Sequence, residues 1–183
     1  MKIPKNAKKV FSGIIFDTYQ WQQKMFDGSF QTFEMLDRVD TVQIIPIVGN
    51  KIVLVNESQP TLSKMIGVIG GRLEKNEKPI DGAKREMLEE TGYSSKKLEK
   101  FDEWRPFHKI NWTVHRFIAR DAKKITEPRL DPGEKIETML VSFAEFVKIA
   151  TSENFRSRDI TFYLLKLIYQ KKLKDFKKKL FSK

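Results

Sequence analysis

The sequence predicts an α+β fold in which mixed or antiparallel sheets are covered by a few helices. Three observations support this prediction. Strand-like apolar runs dominate the first half of the chain, two of the turns between them are typical of hairpins, and helical periodicity is concentrated in the second half. The length of 183 residues suits one domain, or one domain with an addition.

The first predicted unit is an antiparallel β-structure over about residues 10–37. It opens with the strand-like run VFSGIIF, and two further runs flank Asp27-Gly28, a dipeptide typical of tight hairpin turns. A second hairpin is expected where TVQIIPIV and KIVLVN flank Gly49-Asn50. Both hairpins lie in the first third of the chain and predict antiparallel pairing there.

Helices are expected later in the chain. A short apolar run from Met65 to Ile69 precedes a helix over about residues 79–91, for which Pro79 suits the first turn and Gly92 the C-terminal cap. WTVHRFIA and TMLVSF predict two more strands, and SFAEFVKIA predicts the start of a helix. The last helix is expected to begin at about Asp159.

Composition excludes several functional classes. The chain has no cysteine, which excludes thiol catalysis and cysteine-based zinc sites. Its two histidines are too few for a His-rich metal site. No stretch approaches 18 consecutive apolar residues, so we expect no membrane span. The chain is therefore expected to be a cytoplasmic protein without membrane attachment.

The net charge of +11 is concentrated at the two ends of the chain. Residues 1–10 hold four lysines and no acid, and residues 171–183 hold seven lysines and one acid, so the rest carries only +1. Nucleic-acid binding is possible on this basis but is not favoured, because the body is nearly neutral. An apolar stripe of Leu173, Phe176 and Leu180 is expected to continue the last helix, with a solvated tip.

Three glutamates cluster on the helix predicted at residues 79–91. Glu86, Glu89 and Glu90 are related by i, i+3 and i+4, so they project from one face within about one turn. Two interpretations follow. The cluster is either a solvated acidic helix face or a site for Mg²⁺ or Mn²⁺, which prefer hard oxygen ligands and often bind carboxylates together with substrate phosphates.

The spacing around this cluster is specific. The segment matches G-x5-E-x7-R-E-U-x-E-E-x-G-U, where U is a bulky apolar residue, and it is identified as a Nudix box. Seven fixed letters at average residue usage give a chance match in about one in a million chains of this length. The positions that match the pattern are Gly71, Glu77, Arg85, Glu86, Met87, Glu89, Glu90, Gly92 and Tyr93.

From about Val10 to Leu167 the order of elements resembles the ADP-ribose pyrophosphatase branch of the Nudix superfamily. The resemblance implies an α/β/α sandwich around a mixed sheet, preceded by an N-terminal antiparallel β extension. It divides the chain into an extension (1–40), a Nudix hydrolase domain (41–170) and a Lys-rich tail (171–183). Dimers of this branch often exchange the extension, so a homodimer is expected.

The resemblance also implies a metal site. Glu86 and Glu90 would be the principal ligands of Mg²⁺ or Mn²⁺, Glu89 would assist, and the carbonyl of Gly70 would complete the site. Arg85 would pair with Glu77 and hold the box rigid. Such cations neutralise a pyrophosphate and activate water for its displacement.

A loop far beyond the box is expected to supply further acids. Aligning the loop on Ile136 places Glu134 as an additional metal ligand and catalytic group, and it places Pro132 at the usual position of the general base. Proline has no ionisable group, so the base stays open between the box glutamates and the acids of this loop, which are Asp131, Glu134 and Glu137.

The implied reaction is Mg²⁺-dependent hydrolysis of a nucleoside diphosphate linked to another moiety, which gives a nucleoside monophosphate and a phosphorylated remainder. The small-molecule substrate stays open between ADP-ribose, a nucleotide sugar and a dinucleotide, because residues 56–60 lack the arginine that the branch often carries there. RNA pyrophosphohydrolysis and non-catalytic nucleotide sensing are the alternatives. Aromatic side chains near the expected cleft are Tyr19, Trp21, Trp104, Phe107 and Trp112, and two of them could stack on a base, although such residues more often belong to a core or a dimer interface.

Overall fold

The computed structural model describes residues 2–182, apart from the side chain of Leu62. Within these residues the chain forms twelve strands and four helices. The strands are β1 (Lys8–Ser12), β2 (Asp17–Lys24), β3 (Phe30–Asp37), β4 (Thr41–Val48), β5 (Lys51–Gln59), β6 (Leu62–Gly67), β7 (Tyr93–Ser94), β8 (Lys97–Trp104), β9 (Ile110–Asn111), β10 (Val114–Arg120), β11 (Lys123–Lys124) and β12 (Lys135–Val141). The helices are α1 (Pro79–Thr91), α2 (Phe143–Ala150), α3 (Arg158–Tyr169) and α4 (Leu173–Phe181).

The N-terminal unit is a four-stranded sheet in the order β1-β2-β3-β9. Strands β2 and β3 pair along their whole length, and the turn between them contains Asp27-Gly28, as the sequence predicts. The Met25 backbone N–H donates to the Ser29 carbonyl at 2.8 Å, and Gly28 adopts a φ of 87° that suits glycine. Strand β9 joins this sheet from a distant part of the chain and pairs with β3 in parallel.

A larger mixed sheet forms the centre of the molecule. Its order is β12-β5-β4-β10-β8, with β6 also paired to β5. Strands β4 and β10 are parallel, while the other pairs are antiparallel. The predicted second hairpin joins β4 to β5, where Val48 pairs with Lys51 across the turn at Gly49. The mixed sheet confirms the predicted fold class.

Helices cover both faces of the central sheet. Because side chains alternate along a strand, β5 directs Ile52 and Leu54 to one cluster and Val53 and Val55 to another. The first cluster includes side chains of α2, α3 and α4, and the second includes Ala83 and Met87 of α1. The molecule is therefore an α/β/α sandwich, with α1 alone among these helices contributing to the second face.

Helix α1 has the predicted bounds, and both of its ends have local causes. Pro79 occupies the first turn, where a missing N–H has no consequence. Gly92 adopts the left-handed conformation at φ 71°, and its N–H donates to the Leu88 carbonyl at 2.8 Å. A Cβ at Gly92 would also collide with the Thr126 carbonyl oxygen. The end of α1 is thus fixed where the box glutamates lie.

The C-terminal segment differs from its prediction. Helix α3 ends at Tyr169, the chain turns at Lys171 with φ 57°, and α4 packs on the core instead of continuing α3. Phe176 and Leu180 are buried, because the separate helix can place the apolar stripe against the sheet while its lysines stay in solvent. The expectation of a continuous helix with a solvated tip is therefore wrong.

The C-terminal end of α4 is also bound to the sheet. Arg120 of β10 donates through Nη2 to the carbonyl of Lys179 at 2.6 Å, and Nη1 of Arg120 pairs with Glu99 at 2.8 Å.

No helix within residues 2–182 combines the length and the apolar character that crossing a bilayer requires.

Candidate active site

An open cleft of about 640 Å³ lies between the loop that precedes α1 and the face of α1 that carries the box glutamates. Its lining holds seven acids and four arginines, and among the described residues it includes no lysine, histidine or aromatic residue. Acids therefore exceed bases in a partly enclosed space. The lining residues are Val39, Glu57, Gln59, Gly70, Gly71, Arg72, Leu73, Glu74, Arg85, Glu86, Glu89, Glu90, Arg129, Asp131, Glu134 and Arg156.

Two glycines bring the backbone against the carboxylates of α1. A Cβ at Gly71 would collide with the Glu86 carboxylate, and a Cβ at Gly70 would collide with the Val42 carbonyl oxygen. The Gly70 N–H points to Oε2 of Glu90 at 3.3 Å, and the Val42 N–H donates to the Gly71 carbonyl at 2.9 Å. A side chain at Gly70 would clash with fixed backbone, whereas one at Gly71 would displace the Glu86 carboxylate from its position in the cleft.

Arg85 organises the first part of the cleft. Its Nε and Nη2 donate to the two carboxylate oxygens of Glu77, each at 3.0 Å, in a bidentate pair. Nη1 donates to Glu86 and to Glu89, also at 3.0 Å each, and Nη2 donates to the Arg72 carbonyl at 2.9 Å. The hydrogen bonds from Arg85 lower the pKa of Glu77, and Glu77 in turn raises the pKa of Arg85.

The three glutamates of α1 have different environments. The side chain of Glu89 is 45% exposed, whereas Glu90 as a residue is only 7% exposed. Burial raises the pKa of Glu86, against the opposing charge of Arg85. Burial, followed by the charges of Glu86 and Glu57, raises the pKa of Glu90 well above its ordinary value. Of the three α1 glutamates, the most buried one, Glu90, is thus the one that accepts no hydrogen bond from Arg85.

Two acids of the distal loop reach the cleft and one does not. Asp131 and Glu134 line it, and the Glu134 N–H donates to the Asp131 carbonyl at 2.9 Å. Burial, then the charge of Glu57, raises the pKa of Glu134. Glu137 is exposed and pairs with Lys64 at 2.7 Å outside the cleft. The structure therefore leaves Asp131 and Glu134 as the loop acids able to meet a substrate.

These side chains do not form a finished ligand cage. Within residues 2–182, no group of three or more His, Asp or Glu side chains is already arranged as a metal-binding cluster. Arg85 holds one oxygen of Glu86 and one of Glu89. The second oxygen of each of these two carboxylates accepts no hydrogen bond from Arg85, so it is the oxygen that could coordinate a cation.

Sequence reasoning missed the arginines that supply positive charge to the cleft. Arg129 comes from the loop before β12, where its N–H donates to the Glu89 carbonyl at 2.8 Å, and Arg156 comes from the turn before α3. Neither belongs to a recognisable motif. The only usable signal was the unusual Glu57, an acid at the end of the apolar run of β5, which predicts a buried charge in need of a partner.

The aromatic side chains expected beside a bound base do not line the cleft. Trp112 instead packs on Arg38, whose guanidinium carbon lies 4.3 Å from the ring centroid, and it donates to the Thr41 hydroxyl at 3.1 Å. Trp21 is buried in the N-terminal sheet and donates to Gln23. Among the described residues, no aromatic pair is therefore placed to stack on a base within this cleft.

The box geometry agrees with the comparisons to known proteins. Residues 37–164 match the NUDIX domain, which is more than half of the chain. The chain belongs to the Nudix family. It is 31% identical over 149 residues to the ADP-ribose pyrophosphatase of Bacillus subtilis (strain 168), covering 79% of this chain and 80% of that protein. This likeness confirms the resemblance to that branch and identifies the chain as a Nudix pyrophosphohydrolase.

Other Nudix relatives differ in how much of the chain they match. The methanol dehydrogenase activator of Bacillus methanolicus is 28% identical over 143 residues, covering 76% of this chain and 77% of that protein. The RNA pyrophosphohydrolase of Bartonella clarridgeiae is 42% identical over 53 residues, covering 29% and 31%. A solved structure titled as an ADP compounds hydrolase has a TM-score of 0.72 at 18% identity, covering 92% of this chain and 95% of that one, and supports the fold.

Proposed function

We propose that this Nudix protein hydrolyses the phosphoanhydride bond of a nucleoside diphosphate linked to another moiety, of the ADP-ribose or nucleotide-sugar type. The products are a nucleoside monophosphate and a phosphorylated remainder. The observation that carries the proposal is the cleft itself, in which seven acids, three of them on α1, lie together with only four arginines. This combination suits a diphosphate and a divalent cation bound together.

The donor set fits Mg²⁺ or Mn²⁺. Glu90 is a buried carboxylate whose charge is opposed mainly by the Gly70 N–H and the more distant Arg156. A bound cation would therefore offset the free-energy cost of burying this charge. The groups that would hold the ion are the Gly70 carbonyl and the carboxylates of Glu86, Glu89, Glu90 and Glu134. A bound ion of this kind neutralises the diphosphate and lowers the pKa of a coordinated water.

The chain's own residues then position the substrate. Arg85 keeps the box loop on α1 through its bidentate pair with Glu77. Arg72 and Arg129 line the cleft and can donate to phosphate oxygens, which replaces the arginine missing from residues 56–60. Glu134 lies in the cleft with a raised pKa, which brings it nearer to the range that suits a general base. Asp131 is the second loop acid in reach.

The small-molecule substrate is favoured over RNA by the placement of the lysines. Those of α4 belong to the layer that covers the opposite face of the sheet from α1. A polyanion bound there would not extend into the cleft. The intact box and the raised pKa values of Glu86, Glu90 and Glu134 favour a catalytic role over nucleotide sensing alone, because acids with perturbed pKa values cluster at catalytic sites.

The decisive experiment is product analysis on a panel. ADP-ribose, a UDP-sugar, a dinucleoside diphosphate and 5′-triphosphorylated RNA should be incubated with Mg²⁺, with Mn²⁺ and with chelator. We expect nucleoside monophosphate from one of the first three, only in the presence of the cation. Phosphate or pyrophosphate release from RNA alone would favour the RNA enzyme, and no turnover of any substrate would contradict the proposal.

We also propose that the protein is a homodimer through its N-terminal unit. Several large apolar side chains of this four-stranded unit are exposed in the single chain, and a group of exposed apolar side chains of this kind marks a protein-protein contact surface. A dimeric mass in light scattering at micromolar concentration is expected, and a monomeric mass would contradict it. The exposed apolar side chains are Val10, Phe11, Ile14, Ile15, Phe26 and Phe30.

The cytoplasmic location stays a prediction.

A further inference from the structure

Glu57 is a buried acid at the end of an otherwise apolar strand. It is 3% exposed and follows Val53 and Val55 along one side of β5. Both valines belong to the cluster that Ala83 and Met87 of α1 complete, so the alternation of the strand aims Glu57 at the face that α1 covers. Glu57 reaches the cleft lining there. A carboxylate in this position is costly unless something charged meets it.

The hydrogen bonds of Glu57 satisfy only half of its carboxylate. Oε1 accepts from Gln59 Nε2 at 2.7 Å. Oε2 is buried and accepts no hydrogen bond of acceptable geometry from the described residues, although Nη1 of Arg156 lies 2.5 Å away. The pair is therefore a close contact of opposite charges whose N–H direction does not match the carboxylate. Among the described residues, Arg156 is thus the cation that compensates Oε2 of Glu57, through the opposite charge and not through a well-directed hydrogen bond.

Glu57 and Arg156 act on the same neighbouring acids. The charge of Glu57 contributes to the raised pKa of Glu90 and of Glu134, after the larger effect of burial, while the charge of Arg156 opposes both shifts. Three carboxylates from three separate elements thus converge within electrostatic range of one guanidinium. A single positive charge does not balance them, and hard oxygen donors of this kind suit a divalent cation.

The backbone of Arg156 is fixed, whereas its guanidinium is partly exposed and is held by Glu57. The Arg156 N–H donates to the Ile66 carbonyl at 2.7 Å, and the neighbouring Phe155 bridges to the same residue of β6. Its side chain remains 30% exposed and lines the cleft. The guanidinium can therefore turn within the cleft without any movement of the main chain.

We propose that Glu57 is a ligand of the divalent cation in this cleft, and that Arg156 takes the place of that cation in the cation-free protein and turns to the substrate diphosphate when the cation binds. The inference rests on the proposed function, which it deepens by adding one ligand and one phosphate-binding residue. Glu57 would strengthen cation binding, whereas Arg156, which contacts Glu57, would weaken it.

The first test measures Mn²⁺ binding by calorimetry and by electron paramagnetic resonance, without any nucleotide. Glu57→Gln keeps the size of the side chain and the acceptor for Gln59, so the fold should be retained, and circular dichroism checks this. We expect Mn²⁺ affinity to fall about tenfold or more. Glu103→Gln is the matched control, because Glu103 is exposed and pairs with Lys100 on the far edge of the sheet. It should change affinity less than about twofold.

The second test removes the competing guanidinium. Arg156→Gln should tighten Mn²⁺ binding about threefold or more, since Glu57 no longer has a rival cation, and should raise KM for the nucleotide substrate about tenfold. Arg105→Gln, an exposed arginine outside the cleft, should change neither quantity. In the double variant Glu57→Gln/Arg156→Gln, the tightening should disappear, because it depends on Glu57.

Two results would overturn the inference. One is Mn²⁺ affinity in Glu57→Gln equal to that of the Glu103 control. The other is weakened Mn²⁺ binding in Arg156→Gln, which would make Arg156 a support of the site instead of a competitor. These failures are distinct from failure of the proposed function, in which the wild-type protein would bind Mn²⁺ as described but hydrolyse no nucleotide on the panel.

Discussion

Two arginine-centred clusters in this molecule look alike in composition but differ in charge balance. The Arg85 cluster joins Arg85 to Glu77, Glu86 and Glu89 beside the cleft. The Arg116 cluster joins Arg116 to two aspartates and a glutamine inside the protein. Arg116 is 2% exposed and contacts Asp159 at 2.7 Å, Asp102 at 2.6 Å and Gln43 at 3.3 Å.

The difference separates a structural ion network from a candidate active site. In the Arg116 cluster, Asp159 lies in the first turn of α3, where the helix dipole adds to the charge of Arg116. The two aspartates thus have sufficient compensation. In the Arg85 cluster, three carboxylates meet one guanidinium, and the buried Glu90 adjoins them. An excess of buried acid, more than the presence of ion pairs, marks the place where a cation belongs.

The largest expected effect is on stability, at the Arg116 cluster. Arg116→Ala leaves Asp159 and Asp102 without their partner, and breaking a buried pair in this way costs about 3–5 kcal/mol. Urea unfolding should show this loss with or without Mg²⁺. Arg105→Ala is the exposed control and should change the free energy of unfolding by less than about 0.5 kcal/mol. A small loss in Arg116→Ala would remove the contrast between the clusters.

The next effect is on catalysis, at Glu90. Glu90→Gln should reduce kcat about 100-fold or more, because it removes a proposed metal ligand. In chelator the same variant should melt at a higher temperature than wild type, by about 2–4 °C for each kcal/mol of relief, since a buried uncompensated charge is lost. Steady-state kinetics and differential scanning calorimetry measure the two changes. Lower stability together with unchanged turnover would show Glu90 to be structural.

A smaller effect concerns pH. The folded-state pKa values of Glu86, Glu90 and Glu134 are raised above 4.5, so their contribution to stability is complete below 4.5 and is lost as pH rises through the raised values. The melting temperature in chelator should therefore fall as pH rises from 4.5 towards neutrality, and Mg²⁺ should suppress the fall. The lowered pKa of Glu77 acts below this window.

Calorimetric melting across this pH range, repeated with Glu90→Gln, checks the pH effect. The variant should flatten the pH dependence, because it lacks the acid whose pKa is raised most strongly. A wild-type melting temperature that rises steadily across the same range in chelator would contradict the assignment of excess acid to this cleft.

The smallest effect is expected at the surface pair of Glu137 and Lys64. Both side chains are more than half exposed, and such pairs contribute little to stability. Glu137→Gln should change the free energy of unfolding by less than about 0.5 kcal/mol and leave kcat/KM within about twofold. A large loss of kcat would mean that Glu137 enters the cleft during turnover and would reopen the identity of the general base.

Much of the fold was predictable because its signals are local. The two hairpins depend on Asp27-Gly28 and Gly49-Asn50, and α1 depends on Pro79 and Gly92, all within the segments that they shape. The reversal at Lys171 was not predictable in this way. It requires a non-glycine residue at positive φ, which only the burial of α4 against the sheet can support.

The site shows the same division. Glu86, Glu89 and Glu90 lie on one helix, so sequence spacing alone places them together. Glu57 and Arg156 meet only because β5 and the turn before α3 are brought side by side across 99 positions of the chain. Nothing in either local segment identifies the other. Motif reasoning therefore identified Arg85 and the glutamates of α1, but not the pair of Glu57 and Arg156.

The sequence separation of contacts in the two clusters has a consequence for the folding pathway. Arg85 reaches Glu77 over eight positions, whereas Arg116 reaches Asp159 over 43 and Gln43 over 73. Short loops close at low entropic cost, so the box can assemble with α1 early, while the Arg116 cluster closes only when distant strands and α3 have met. Damage to the Arg116 cluster should then accelerate unfolding more than it slows folding. The catalytic segment would form first, and the ion network that secures the domain would form around it.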